Sequence, residues 1–306
     1  MGYWVKRVFI DGFMNIVPRQ RLDFGRGVNI ITGPGGAGKS NLLRSVTWSL
    51  TGLMPPSYGG YEVVYEVVNS NREEAKVTLE LTGPTDLKVT RTAKRSTESL
   101  PVSQKVTLQD SHKVVTGKAA DAEVRRILKI RPVGFFRSSY LDDLQENLER
   151  IASEGGQELR YIAKLIQTEK EWRDFAEVSH LTRDIELGKA RSIKELERDI
   201  HAASGGVRAV LSLCAFFASN ANARTKLPIA LLDCPEDRLD DRMQDAFAVA
   251  VAGLARREQV FVVTQSKRFV ERLMLDCDSP RLFTIEVDPD RSLKIRAGWP
   301  EPPVRH

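Results

Sequence analysis

The stretch Gly33-Pro34-Gly35-Gly36-Ala37-Gly38-Lys39-Ser40-Asn41 fits the pattern G-x-x-x-x-G-K-[ST] at every fixed position. An apolar strand-like segment, Val28 to Thr32, precedes it, and a helix-like run, Leu42 to Leu50, follows it. In this setting the glycines let successive backbone N–H groups curl around a β-phosphate, and the helix N-terminus adds favourable partial charge. Lys39 would reach the β- and γ-phosphates, and the Ser40 hydroxyl would ligate Mg²⁺. The sequence therefore predicts a P-loop core that binds a nucleoside triphosphate with Mg²⁺.

The composition is that of an ordinary soluble globular protein. The 306 residues, 42% hydrophobic and 28% charged, suffice for one large core or two lobes. The first residues lack the apolar run of a signal peptide, and no run approaches the roughly 18 apolar residues of a membrane span. The three cysteines, Cys214, Cys234 and Cys277, form no C-x-x-C pair and show no metal-ligand spacing. This pattern favours a reducing compartment, without a structural disulfide or a zinc site. We therefore expect a cytoplasmic protein without a membrane partner, and the net charge of +5 is compatible with DNA as a partner.

Two kinds of pattern organise the first 200 residues. Alternation of apolar and polar residues predicts a small antiparallel sheet beside the nucleotide core. The alternating segments are Lys76–Thr82, Leu87–Thr92 and Gln104–Gln109. A helix is expected from Asp121 to Ile130, and from residue 141 to 200 apolar residues recur every three or four positions in a charged helical region. Two interpretations of that region stay open: a helical subdomain packed on the core, or the root of a coiled-coil arm.

Two later segments would complete a nucleotide site. Ser204, Gly205 and Gly206 precede a predicted helix, Ala209 to Asn220, and would offer a hydroxyl and free N–H groups to a phosphate. A buried strand ending in Asp233 then suits a carboxylate that supports Mg²⁺ in a Walker B motif. A further apolar strand, from residue 259 to 264, leads to Gln265.

Taken in this order, the motifs resemble those of the ABC-type ATPase heads of the SMC, RecF and RecN families, which act in chromosome maintenance and DNA repair. Those families carry a loop like GPxGxGKSN, a signature like LSGGE[KR] and a Walker B segment like hhhhDEPxxxLD. Here the corresponding stretches are Gly33 to Asn41, Ser204 to Arg208 and Asp233 to Asp240.

The resemblance implies a particular fold. The expected class is α/β, a two-lobed ABC ATPase head with a P-loop core, an antiparallel β subdomain and a helical insertion that would be the root of a coiled coil. The N-terminal lobe with Walker A would comprise residues 1–140, and the helical insertion or truncated arm residues 141–200. The C-terminal lobe, with the signature and Walker B, would comprise residues 201–306.

A mechanism and partners are implied as well. ATP and Mg²⁺ would be sandwiched between two heads, with Ser204 serving the γ-phosphate of the partner head and Asp240 at the dimer seam. ATP would then hold the heads together, and hydrolysis would release them. The implied partners are a second head in a homodimer, other protein subunits and DNA.

Several positions depart from the family pattern where catalysis takes place. Cys234 stands where the catalytic glutamate belongs, and Glu236, two residues further on, is the alternative candidate for the base. Gln265 occupies the place of the switch histidine. Ser138 replaces a Mg²⁺-contacting glutamine in the predicted loop from residue 134 to 141. Together these changes predict slow hydrolysis, or a head that binds ATP and barely turns it over.

The preferred functional prediction is an ATP-binding head of an SMC-like protein in DNA or chromosome maintenance. An alternative is a nucleotide-gated protein-interaction module with little or no hydrolysis, such as a cytoskeleton-linked SMC-like ATPase. A transporter subunit is disfavoured by the β-rich segment after the first helix. Two basic groups are candidate DNA contacts: Lys88, Arg91, Lys94 and Arg95 in one, and Arg125, Arg126, Lys129 and Arg131 in the other.

Overall fold

Most strands lie in the first 116 residues, helices dominate from residue 118 to 222, and strands and helices alternate from Ile229 to Val287. A computed structural model describes residues 2–55, 67–95, 103–142, 144, 147–149, 156–184, 193–287 and 293–298. The strands are β1 (Trp4–Asp11), β2 (Gln20–Asp23), β3 (Val28–Thr32), β4 (Glu74–Thr82), β5 (Leu87–Lys94), β6 (Ser103–Gln109), β7 (Val114–Thr116), β8 (Tyr140–Leu141), β9 (Ile229–Asp233), β10 (Gln259–Val263), β11 (Arg281–Val287) and β12 (Leu293–Ala297). The helices are α1 (Lys39–Thr51), α2 (Lys118–Leu128), α3 (Pro132–Ser139), α4 (Gly156–Thr168), α5 (Lys170–Val178), α6 (Leu181–Asp184), α7 (Ile193–Ala202), α8 (Gly205–Asn222), α9 (Asp241–Ala255) and α10 (Lys267–Asp276).

Two sheets arrange these elements. The first is antiparallel, with the strand order β2-β1-β4-β5-β6-β7. The second has the order β12-β11-β3-β10-β9-β8, and its strands are parallel except for β12 at one edge. Carboxyl ends of parallel strands meet at one edge of a sheet. The segments that follow β3, β9 and β10 are therefore brought together, and this edge positions the candidate site.

Helix α1 lies in a hydrophobic cluster that includes side chains of both sheets. Its Leu42, Val46 and Trp48 are fully buried, so the segment directly after the phosphate loop is fixed in the core. Gly52 ends the helix in a left-handed conformation (φ 78°), and its N–H donates to the Trp48 carbonyl at 2.8 Å. A glycine adopts this conformation without the steric cost that a β-carbon brings.

A second hydrophobic cluster surrounds α8. Trp172 and Phe175 of α5 pack against Phe217 of α8 and Phe247 of α9, with ring centroids 4.5–6.3 Å apart. The described helices of the 141–200 region thus pack on the core, as the first of the two interpretations expects. Residues 185–192, between α6 and α7, lie outside the described residues, and the coiled-coil arm stays a prediction. None of the helices in the described ranges is both long and apolar enough to cross a membrane.

The predicted antiparallel sheet is confirmed, since the three alternating segments form β4, β5 and β6. Two predicted helices begin earlier than expected: α2 starts at Lys118, and α8 starts at Gly205. The prediction of a loop from residue 134 to 141 was wrong. Pro132 starts helix α3 there, because proline at a first helical position has the φ angle that the helix needs.

Arg91 is buried, so the prediction that it contacts DNA was wrong. Only 3% of its surface is exposed. Its guanidinium binds Asp121 at 2.6 Å and donates to the Ser49 carbonyl at 3.2 Å. It lies 6.0 Å from the centre of the Trp48 ring. Arg91 therefore joins β5, α1 and α2 inside the molecule.

We expect Arg91→Met to lower the free energy of unfolding by about 3 kcal/mol, because removal of one partner leaves buried polar groups unpaired. Arg125→Met is the matched control, since Arg125 binds the same Asp121 at 2.6 Å while 42% of its side chain is exposed. The control should cost about 1 kcal/mol or less. Urea denaturation of both variants measures the difference, and equal losses would show that burial of Arg91 adds nothing.

Candidate functional site

The phosphate loop has the backbone geometry that its glycines permit. Gly33, Gly36 and Gly38 have φ angles of 148°, 72° and 83°. A β-carbon on Gly33 would lie 2.6 Å from the Ile285 carbonyl oxygen, so only glycine fits. Gly38 caps α1 in the left-handed conformation, and no side chain accepts a hydrogen bond at this cap. The N–H groups of the first turn of α1 are thus not engaged by a capping side chain.

The Lys39 side chain folds back onto the phosphate loop. Its Nζ donates to the carbonyls of Gly33 (3.0 Å) and Pro34 (2.8 Å), and its residue surface is 5% exposed. Burial lowers the pKa of Lys39, while the nearby Asp233 and Glu236 carboxylates oppose that shift. A phosphate would replace carbonyl oxygens with charged ones, which makes stronger hydrogen bonds.

Ser40 and Asp233 meet at the carboxyl ends of β3 and β9. They border a cavity of about 300 Å³ together with Asp142 and Cys234. Burial raises the pKa of Asp233, and a hydrogen bond from Ser40 and the positive charges of Arg44 and Lys39 oppose that shift. The Asp233 Oδ1 is buried and has no hydrogen-bond partner in the described part of the chain. A hydroxyl beside an unpartnered carboxylate oxygen is a fitting donor set for Mg²⁺.

Cys234 follows Asp233 and borders the same cavity. Burial raises the pKa of Cys234 to about 12, and the charges of Asp233, Glu236 and Asp237 add to this effect. The thiol is therefore protonated at neutral pH, and a protonated thiol accepts no proton from water. Its backbone is left-handed (φ 50°), and its N–H donates to the Val263 carbonyl at 2.9 Å.

Glu236 and Gln265 occupy different surroundings. Glu236 is 5% exposed, and its Oε1 accepts a hydrogen bond from the Thr264 hydroxyl. Burial raises the pKa of Glu236, and its Oε2 has no partner among the described residues. Gln265 is exposed, and its Oε1 lies 3.7 Å from where a β-carbon on Gly35 would be. Gln265 thus lies next to the phosphate loop, whereas Glu236 is buried and hydrogen-bonded to Thr264.

The signature segment begins α8 on the surface. The exposed Ser204 accepts a hydrogen bond from the Val207 N–H at 3.3 Å as the helix cap. A β-carbon on Gly205 would meet no atom within 4 Å, whereas one on Gly206 would lie 3.1 Å from the end of Met243. Gly205 therefore leaves open space above the helix N-terminus, as a site for an incoming phosphate requires.

Asp240 is exposed and caps α9. Its Oδ1 accepts a hydrogen bond from the Met243 N–H at 2.8 Å. Its neighbour Arg238 borders the cavity that contains Ser40, and the Arg238 carbonyl lies 3.9 Å from a β-carbon placed on Gly206. The segment after β9 thus connects the Walker B carboxylate with the signature.

Ser138 is not brought to Ser40 and Asp233. It lies in α3, its hydroxyl donates to the Gly134 carbonyl at 2.9 Å, and it borders a different cavity. The residue next to the site is Asp142, directly after β8. Sequence reasoning missed Asp142 because the expected residue type was glutamine and the segment was aligned four residues too early.

Asn15 was missed as well. Its Oδ1 accepts a hydrogen bond from Asn41 Nδ2 at 2.8 Å, and its side chain lies 2.4 Å from where a β-carbon on Gly38 would be. It therefore holds the connection between β1 and β2 against the start of α1. No sequence signal distinguishes this asparagine from an ordinary turn residue.

Fold and site together define a P-loop ATPase head of the ABC type. Residues 7–204, more than half of the chain, match the family described as AAA domain, and the chain belongs to this family.

Solved structures with the same fold include SMC heads. The SMC head domain from Thermotoga maritima is 18% identical, with a TM-score of 0.61, over 96% of this chain and 99% of that one. An Smc head bound to the C-winged helix domain of ScpA is 17% identical, with a TM-score of 0.65, over 97% of this chain and 98% of that one. The fold is therefore that of an SMC-type head.

A curated relative matches a short part of the sequence. The chromosome partition protein Smc of Fusobacterium nucleatum subsp. nucleatum is 45% identical over 47 residues. The match covers 15% of this chain and 4% of that protein, so the chain spans a small fraction of its relative.

Proposed function

We propose that this chain is the ATP-binding head of an SMC-like protein, which pairs with a second head around ATP and Mg²⁺ and hydrolyses ATP slowly. The observation that carries the proposal is the meeting of Ser40 and Asp233 at the end of the phosphate loop, beside Cys234. This arrangement offers a phosphate cradle and metal donors without a glutamate at the position of the catalytic base.

Ser40 and Asp233 would hold Mg²⁺, which neutralises charge on the phosphates during transfer. Lys39 would bind the β- and γ-phosphates from the other side of the loop. Gln265, exposed against Gly35, would donate or accept a hydrogen bond at the γ-phosphate or a water but supplies no positive charge.

Slow turnover follows from the lack, among the described residues, of a free base near the water that would attack the γ-phosphate. The Cys234 thiol stays protonated, and Glu236 is bonded to Thr264. A positioned general base contributes roughly 10²–10⁴ to a rate, so its absence should leave a head that stays bound to ATP.

Pairing of heads rests on the exposed signature. Ser204, Gly205 and Asp240 are all surface groups at or next to helix N-termini, where a partner's phosphate would be favoured. We propose a homodimer in which each head contributes Ser204 to the other's ATP, and that the domain boundaries near residues 140 and 200 separate the lobes from the helical insertion.

A role in DNA or chromosome maintenance is proposed from the chromosome partition protein that this chain partly matches and from the Smc heads whose fold it shares. The net charge of +5 agrees with an anionic partner. Other protein subunits are proposed because one Smc head of this fold was solved with ScpA. The cytoplasm is the proposed compartment.

A second candidate is a nucleotide-gated protein-interaction module with little or no hydrolysis, which the protonated Cys234 also favours. Two heads of such a protein would still pair in the presence of ATP, but they would bind no DNA at any salt concentration. A DNA-binding head would instead bind DNA at low salt, and its affinity would fall steeply as salt rises.

Light scattering tests the pairing directly. We expect the 34.3 kDa chain to double in mass with Mg²⁺-ATP, and Ser204→Arg to stay monomeric while it still binds ATP. Ser111→Arg, at an exposed serine outside the signature, is the matched control and should pair normally. A monomer at protein concentrations well above micromolar, with ATP bound, would overturn the homodimer.

A further inference from the structure

A second cavity lies away from the nucleotide site, at the opposite end of the same strands. It has a volume of about 700 Å³ and lies between the end of α2, the helix α3 and the segment after α8. Thr225 on its wall precedes β9, whereas Asp233 ends β9, and this five-residue strand is roughly 13–16 Å long. The cavity is therefore separate from the phosphate loop.

The walls of this cavity are fixed by hydrogen bonds between the elements. Thr225 Oγ1 and the Lys226 N–H both donate to the Leu128 carbonyl, at 3.1 and 2.8 Å, and join α2 to the start of β9. Asn220 Nδ2 donates to the Ser138 carbonyl at 2.6 Å and joins α8 to α3. The cavity is thus formed by the fold rather than by loose side chains.

Positive charge dominates the lining. The cavity is bordered by Arg125, Arg126, Lys129, Arg131 and Arg224, and no acidic side chain borders it among the described residues. Arg125 and Arg126 bind Asp121 and Glu123, at 2.6 and 2.7 Å.

The other three cations, Lys129, Arg131 and Arg224, are exposed and form no ion pair in the part of the chain that the structure describes. Like charges gathered without counter-charges raise the local concentration of anions.

Unused donors accompany the charge. The Arg125 Nε is buried and has no hydrogen-bond partner within the described ranges. No side chain caps α3, whose first bonded N–H is that of Phe135, to the Arg131 carbonyl at 2.8 Å. Gly134, in the uncapped first turn, borders the cavity and brings no side chain that would cover the helix N-terminus. Positive charge and a helix N-terminus without a capping side chain therefore lie at the same cavity.

We propose that this cavity is a phosphate-binding site, in which Arg131, Arg224 and Lys129 bind phosphate oxygens beside the N-terminus of α3. Arg131 and Arg224 supply planar donors that match phosphate geometry. The phosphate would come either from a nucleic-acid backbone or from a free phosphorylated molecule. This cavity shares no lining residue with the cavity that Ser40 and Asp233 border, so phosphate could bind here without ATP and without a second head.

The test uses the full chain with Lys39→Ala, so that the phosphate loop does not capture the probes. Binding of inorganic pyrophosphate is measured by calorimetry, and binding of a short fluorescein-labelled single-stranded oligodeoxynucleotide by anisotropy. The test variant adds Arg131→Glu and Arg224→Glu. The matched control adds Arg160→Glu and Lys164→Glu instead, which reverses two exposed charges of α4 outside the cavity. Circular dichroism confirms that each variant is folded.

We expect the test variant to weaken binding by about tenfold or more, and the control by less than about threefold. For the oligodeoxynucleotide, loss of two phosphate contacts should also reduce the salt slope by about 1.4. Loss of oligodeoxynucleotide binding, with or without loss of pyrophosphate binding, assigns the site to nucleic acid. Loss of pyrophosphate binding alone assigns it to a free phosphorylated molecule. Absence of binding by both probes, or equal losses in test and control variants, would overturn the site.

Discussion

Cys234→Glu is expected to raise the rate of phosphate release by about 10²-fold or more, because a positioned general base contributes roughly 10²–10⁴. The new carboxylate would lie at the end of β9, beside Asp233 and close to the Ser40 hydroxyl. The same burial and neighbouring acids that raise the pKa of the Cys234 thiol to about 12 would raise the pKa of a glutamate there, and a base with a raised pKa is more effective near neutral pH. Phosphate release with Mg²⁺-ATP, at protein concentrations well above micromolar, measures the change.

Cys234→Gln controls for the size of the new side chain, since glutamine has the shape of glutamate but no basic oxygen at neutral pH. It should hydrolyse no faster than the starting protein. If the starting protein already matches the glutamate variant, Cys234 is not at the position of the base. Glu236 would then be the candidate, and it would first have to leave its hydrogen bond with Thr264.

Lys39→Ala should weaken ATP binding by about 10²–10³-fold. The Lys39 Nζ lies 3.0 and 2.8 Å from two loop carbonyls, so it is already held where phosphate oxygens would replace them. One or two charge-assisted hydrogen bonds, each worth about 1.5–3 kcal/mol, amount to about 1.5–6 kcal/mol, and the expected loss corresponds to about 3–4 kcal/mol within that span. Calorimetric titration with ATP and Mg²⁺ is the direct measurement.

Lys164→Ala is the control for loss of one positive charge, because Lys164 is exposed on α4. It should leave ATP affinity within about twofold, since an exposed charge far from a ligand is screened by salt. Unchanged affinity in Lys39→Ala would mean that the loop does not bind the triphosphate in the proposed way. Loss of affinity together with loss of folding would be recognised by circular dichroism, since Lys39 also donates to two backbone carbonyls.

Short-range patterns predicted much of the fold. The strand from Val28 to Thr32 has the predicted bounds, because a short apolar run between turn residues leaves few alternatives. The alternating segments around Leu87 became strands of the antiparallel sheet for a similar reason: one face of each is buried and the other is not. Element boundaries were less well predicted, as at α3, where Pro132 was not recognised as a helix start.

The candidate site was predicted in part. Lys39, Ser40 and Asp233 follow from motifs in which each residue type has one chemical task, and the structure brings the last two to one cavity. Asn15 was missed because its contact with Asn41 joins segments 26 residues apart in the sequence. Asp142 was missed because the expected glutamine was placed four residues earlier, at Ser138.

The sequence by itself determined the phosphate loop, the strand and helix on either side of it, and the presence of a cysteine directly after Asp233. These are local properties: glycine spacing, hydrophobic periodicity and residue identity require no knowledge of distant segments. Only the tertiary structure decided that Glu236 is bonded to Thr264, that Arg91 is buried and that Ser138 borders a second, positively charged cavity. Burial and charge environment depend on which strands and helices pack together, and hydrogen bonds between groups 28 to 82 residues apart set them here.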